Sequence, residues 1–141
     1  MIEVNNKTRS LIDLNLIKKT VKKFLNHYYS KYSGVDINKI EVSIAIVGDQ
    51  ATKKLNKKYL GNNQATDVLA FPGEENYLGE IIINYSQIKR QAKEYNNTIK
   101  KELIHILIHG LLHLVGYSDK SKKGRGEMDE LTKDFICKQL V

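Results

Sequence analysis

Residues 98–116 read TIKKELIHILIHGLLHLVG. Thr98 has the short hydroxyl side chain of a helix N-cap, the apolar run behind it carries a helix to about Val115, and Gly116 supplies a C-terminal stop. His105, His109 and His113 fall on this helix at intervals of four, so each ring stands one turn above the next on a single face. Two imidazoles so spaced can close on one ion. A third cannot join them, because His105 and His113 are separated by roughly 12 Å of helical rise, whereas zinc–nitrogen bonds are about 2.0–2.1 Å.

Gly116 selects the pair. It ends the helix three residues after His113 and lets the chain fold back, so that the next carboxylate, Asp119, can approach the same ion. His109, His113 and Asp119 then supply two nitrogens and one oxygen and leave the fourth tetrahedral position to water, the arrangement of a catalytic zinc site in a hydrolase. His105 is expected to pack in the core or to hydrogen-bond from behind the ligands. The spacing also matches metalloproteases of the His-Glu-x-x-His type, but Gly110 stands where their glutamate base would be. Glu102, at roughly 10 Å of rise from His109, is too distant to deliver a proton directly. No protein base is assigned; the metal-bound water is the expected nucleophile.

Outward from this helix, hydrophobic periodicity divides the chain into alternating elements. Ile2 to Val4 opens a short strand, and Leu14 to Tyr32 reads as an amphipathic helix with Leu14, Ile17, Val21, Phe24 and Leu25 on one stripe. Glu41 to Val47 alternates as a strand, and Asp49 is placed to cap a helix running to about Tyr59. The runs Asp67 to Phe71 and Leu78 to Asn84 are strands whose connection is too short for a crossover helix, so they form an antiparallel hairpin. Tyr85 to Tyr95 is a further helix. Beyond Gly116, Lys120 to Gly126 reads as a polar loop before a final helix through Leu131 and Phe135. The expectation is one α+β domain of about four strands and five helices.

The length of 141 residues suits one domain with one core. A composition 41% hydrophobic and 28% charged, with one proline, is that of a packed globular chain rather than a disordered one. No apolar run of about 18 residues could span a bilayer and the start lacks the apolar stretch of a secretion signal, so a cytoplasmic protein without a membrane partner is expected. Cys137 is the single cysteine, which excludes an intrachain disulfide and a thiolate-only metal site. The formal charge of +7, from 23 Lys and Arg against 16 Asp and Glu, favours a polyanionic partner such as RNA or DNA. Lysines cluster at Lys53 to Lys58 and again at Lys120 to Arg125, before the hairpin and after the histidine helix.

The run His109-Gly110-Leu111-Leu112-His113-Leu114-Val115-Gly116-Tyr117 resembles the signature of the YbeY family of metal-dependent bacterial endoribonucleases. Leu55-Asn56 with Tyr59, Thr66-Asp67-Val68-Leu69-Ala70-Phe71-Pro72, Leu78-Gly79-Glu80-Ile81, Gln91-Ala92 and Glu102 resemble that family's blocks in the same order, over about residues 40–131. The resemblance implies a zinc-binding domain with a mixed four-stranded sheet, acting on single-stranded RNA in late maturation and quality control of the small ribosomal subunit. Its partners would be that subunit, its proteins and a ribosome-associated GTPase. It also implies metal ligation by His109 and His113 and places Thr66 and Asp67 on the strand lining the cleft.

Two departures stand out. The family continues Gly-Tyr-Asp-His, its last histidine a third ligand, where this chain has Ser118 and Asp119. The family also has an arginine after the matched tyrosine, where this chain has Leu60. A carboxylate ligand lowers the net charge on the metal and makes harder ions such as manganese more competitive. A missing arginine removes a planar phosphate donor that Lys57 and Lys58, beside the gap, replace only in part. Both departures favour a rival reading, a non-catalytic or weakly catalytic RNA-binding module for ribosome assembly with a structural metal. Gly110 argues against a third, peptide hydrolysis.

Overall fold

A computed structural model describes residues 1–140 as four strands and five α-helices, with a 3₁₀ turn at Ile37–Lys39 and a π-helical turn at Ile136–Leu140. In chain order they are β1 (Ile2–Asn6), α1 (Leu14–Tyr29), β2 (Glu41–Val47), α2 (Asp49–Leu60), β3 (Val68–Pro72), β4 (Tyr77–Asn84), α3 (Tyr85–Glu94), α4 (Ile99–Leu114) and α5 (Lys122–Phe135). The sheet order is β1-β2-β4-β3, with β1, β2 and β4 parallel and β3 antiparallel to β4. The expected hairpin is therefore present, at one edge of a mixed sheet.

Both faces of the sheet are covered. Val42, Ile44 and Ile46 alternate with Ala45 and Val47 along β2, so that the first set joins the large core and the second a smaller one on the opposite face. Ile17, Val21, Phe24 and Leu25 of α1, Leu107, Ile108 and Leu111 of α4, and Met128 and Phe135 of α5 fill the large core, while α2 contributes Ala51 and Leu55 to the small one. Ile81, Ile82 and Ile83 of β4 are all buried, as expected for a strand sandwiched between two layers.

α4 is the central element. It packs against α1, α3, α5, β3 and β4, and its apolar side chains are buried almost all round, which a helix tolerates only inside a protein. At Gly110 a Cβ would lie 2.9 Å from Cγ2 of Ile81 and 3.3 Å from Cγ2 of Val68, so the absent side chain is what lets α4 lie close to the hairpin.

Three local expectations are corrected. α1 stops at Tyr29 rather than Tyr32. Asp49 is the first helical residue of α2, not its cap: its carboxylate takes a two-pronged contact from Arg90 at 2.7 and 2.9 Å and another from Asn84 at 2.8 Å, stronger partners than backbone amides. α5 begins at Lys122, inside the expected loop, because Ser121 accepts a hydrogen bond from the Gly124 amide and caps it. No helix among the described residues is long and apolar enough to cross a membrane.

Candidate metal centre

Gly116 adopts φ +107°, and past it the chain turns back. Its amide donates to the His113 carbonyl at 3.1 Å and the Tyr117 amide to the Leu112 carbonyl at 3.0 Å, the paired bonds of a Schellman stop. The same reversal sets the Tyr117 carbonyl 3.2 Å from His113 Nδ1. A carbonyl only accepts, so Nδ1 is the donor in this contact, and in the neutral tautomer that this selects Nε2 is a lone pair.

That lone pair faces Asp119 Oδ2 across 3.4 Å. Two electron-rich atoms in this position repel each other unless a proton or a cation lies between them. Bonds of about 2.0–2.1 Å to a tetrahedral zinc place two donors about 3.3–3.4 Å apart, the separation found here. The Asp119 backbone is pinned as well, its carbonyl accepting from Arg125 Nη1 at 3.2 Å.

One turn earlier, His109 faces a different carboxylate. Its Nε2 is 3.1 Å from Asp129 Oδ1 of α5, and its ring centroid is 4.7 Å from that of His105. The contact with Asp129 lacks the direction of a hydrogen bond, which leaves a buried imidazole nitrogen without a partner. His105, His109 and Asp129 offer ligand atoms all within 4.8 Å of one another, a group able to hold a metal ion. Burial first, and then His109 beside it, pushes the His105 imidazole down, in the direction of the neutral form that metal ligation needs.

The donors expected from spacing are thus divided. His113 and Asp119 are paired, whereas His109 keeps company with His105 and Asp129, to which its ring is turned. His105 is not simply core packing. The orphaned nitrogen and the imidazole–carboxylate chemistry of both groups fit zinc or a harder divalent ion. Asp129 carried no spacing signal, since it reaches the histidine helix only through the docking of α5. His105 carried one, its place on the histidine face.

A cleft of about 680 Å³ opens beside His113 and Asp119. Thr66, Val68, Ala70, Tyr117 and Lys120 line it, and Asn56 holds the loop before Thr66 by donating to the Gln64 carbonyl at 2.7 Å. Lys57 and Lys58 do not line it; they are exposed on α2, with Lys58 Nζ 5.1 Å from the Tyr59 ring centre. Leu60 does, 62% exposed at the mouth. Asp67 also lies outside the lining, its carbonyl accepting from the Asn84 amide at 2.9 Å. Glu102 is buried; burial pushes its carboxyl up, with nearby His105 opposing and the charge of Asp67 adding to the rise. Lys120 is the member of the two lysine clusters that reaches the cleft wall.

A mixed sheet crossed by a buried histidine helix, with one imidazole facing a carboxylate at a cleft and a second facing another one turn earlier, defines an α+β protein with a candidate divalent-metal centre. The model of the family described as Endoribonuclease YbeY matches residues 2–140. A relative named Endoribonuclease YbeY from Thermodesulfovibrio yellowstonii is 40% identical over 130 residues, 82% of each chain. Another of that name from Persephonella marina is 34% identical over 136 residues, 92% of this chain and 84% of its own. The solution structure of TM1509 from Thermotoga maritima superposes with a TM-score of 0.63 at 30% identity, covering 97% of this chain and 90% of that one. The chain belongs to the YbeY endoribonuclease family.

Proposed function

We propose that the whole chain is one catalytic domain, a metal-dependent endoribonuclease that hydrolyses phosphodiesters of single-stranded RNA. The observation that carries this reading is the His113 lone pair held against Asp119 at the rim of the cleft. His113 and Asp119, joined by His109 once its ring turns away from Asp129, would hold one Zn²⁺, with other divalent ions competing because one ligand is anionic. When bound, the ion supplies a Lewis acid for the phosphoryl group and a means of ionising water near neutral pH.

The chain's own residues do the rest. Tyr117 fixes the proton on His113 Nδ1 and so orients Nε2. The Thr66 hydroxyl and Lys120 ammonium, on the cleft wall, bind phosphate oxygens. Asp67 positions the start of β3 behind Thr66, and Lys57 and Lys58 attract the strand from outside the cleft. Family membership supports a place in late maturation and quality control of small-subunit ribosomal RNA, in the cytoplasm, with the small subunit, its proteins and a ribosome-associated GTPase as partners.

A second reading, an RNA-binding assembly module with a structural metal, is favoured by exposed Leu60 at the mouth, where a cation would grip phosphate. Metal content and cleavage of a single-stranded RNA, measured on the purified protein and on His113→Ala, separate the two. Metal-dependent cleavage lost in the variant is expected. Tight RNA binding without cleavage by the metal-loaded protein would establish the module instead, and cleavage surviving in a metal-free variant would trace the activity to a contaminant.

A further inference from the structure

Tyr28 and Tyr29 close the last turn of α1, and Tyr32 follows in the turn beyond it, its amide donating to the Tyr29 carbonyl at 3.0 Å. The three rings form one cluster. Tyr28 and Tyr29 meet almost at right angles with centroids 4.9 Å apart, and Tyr32 lies 5.9 and 6.0 Å from them at intermediate tilts. With Pro72 and Leu78 from the hairpin they wall a groove of about 460 Å³ that ends at His113.

Because His113 lines the larger cleft too, the two hollows meet at the candidate metal ligand. Tyr28 and Tyr29 are partly buried and form the floor, while Tyr32 is 48% exposed and presents its ring to solvent. Lys31 Nζ, 6.0 Å from the Tyr28 ring centre, sets a cation beside the cluster. Aromatic walls with a cation at the edge suit a flat π-faced ring tethered to an anion, which is a nucleobase with its phosphate.

We propose that this groove is a base-stacking subsite, in which an unpaired nucleobase next to the scissile phosphate lies against Tyr32 and Tyr29 while its phosphate reaches His113. The subsite rests on the ribonuclease reading and adds to it a cause for single-strand preference: a base paired in a duplex is not free to enter. It also makes the contact tolerant of base identity, since every base has a π-face.

The test is binding of a short, unstructured, fluorescently labelled RNA strand with a phosphorothioate backbone, followed by anisotropy on the purified protein. Tyr32→Leu keeps apolar bulk and loses the ring; it should weaken binding roughly 5- to 160-fold, the range of one lost base stack, while Tyr32→Phe stays within about twofold. Tyr32 is exposed enough that both variants should melt with the wild type. A strand carrying abasic sites probes the same contact without any substitution and should bind the wild type as weakly as the intact strand binds Tyr32→Leu.

Equal affinity of Tyr32→Leu and wild type, or of abasic and intact strands, overturns the subsite. Metal-dependent cleavage by a wild type indifferent to both changes removes the subsite and leaves the ribonuclease reading standing. A wild type that stacks RNA on Tyr32 and never cleaves it does the reverse.

Discussion

At Asp119 a carboxylate oxygen and an imidazole lone pair face each other across 3.4 Å, and each side chain is stabilised by whatever positive charge comes between them. Asp119→Asn removes the anion and should weaken divalent-metal affinity by more than about tenfold, read by titration with Co²⁺. The stability of the metal-free protein should hardly move, because the side chain is half exposed. Asp119→His replaces an anionic ligand by a neutral one and raises the charge at the centre, so the rising limb of the pH–rate profile should move to lower pH; an unmoved limb would mean that Asp119 is not a ligand. The order His113, Gly116, Asp119 made this contact legible in sequence, since a glycine stop folds the chain back onto the last histidine; the turn of His109 toward Asp129 was not legible. Asp129 was not legible. Its place beside His109 follows from the tertiary packing of a helix twenty residues further on, where no periodicity points.

Among the elements, α4 was readable almost residue by residue, because an N-cap, an apolar run and a glycine stop all agree. α5 was not, since Gly124 and Gly126 argue for a loop and only the Ser121 hydroxyl, in place, outweighs them. Gly110 ties α4 to the hairpin. Gly110→Ala gains about 1 kcal/mol of helix propensity but crowds Ile81 and Val68, at an overpacking cost of about 1–3 kcal/mol. A net loss of about 1 kcal/mol in urea unfolding is therefore expected.

A second joint, Arg90 of α3 on Asp49 of α2, holds the Asp49 carboxyl down at about 2 through the Arg90 contact first and Asn84 second. The folded-state value lies below the ordinary 3.8, so the pair's contribution is fully present above about pH 4 and is lost as pH falls through 2. Both partners are more than a third exposed, and solvent screening leaves about 0.5–1 kcal/mol. Asp49→Asn should be less stable than wild type by that amount at pH 7, and the two unfolding curves should converge toward pH 2.

For the molecule as a whole, the excess of cations predicts that RNA binding is strongly salt-dependent. If about four phosphates of a single strand are neutralised, affinity should fall roughly 50-fold between 50 and 200 mM salt; a flat response would assign the charge to something other than nucleic acid. The α+β class and the antiparallel hairpin could be read from local patterns, whereas the order β1-β2-β4-β3 could not, because the parallel pairings join strands whose neighbours are chosen by the burial of α1 and α4. The stop at Gly116 has a longer reach than its three residues suggest. The turn that terminates the helix is also the one that sets the Tyr117 carbonyl against His113 Nδ1, so any descendant of this chain that loosens the turn loses the orientation of Nε2 with it. Position 119 lies past the turn on an exposed loop, held there through its backbone carbonyl by Arg125. If Asp119 ligates the proposed ion, a single replacement there would change the donor while the turn that orients His113 stays intact.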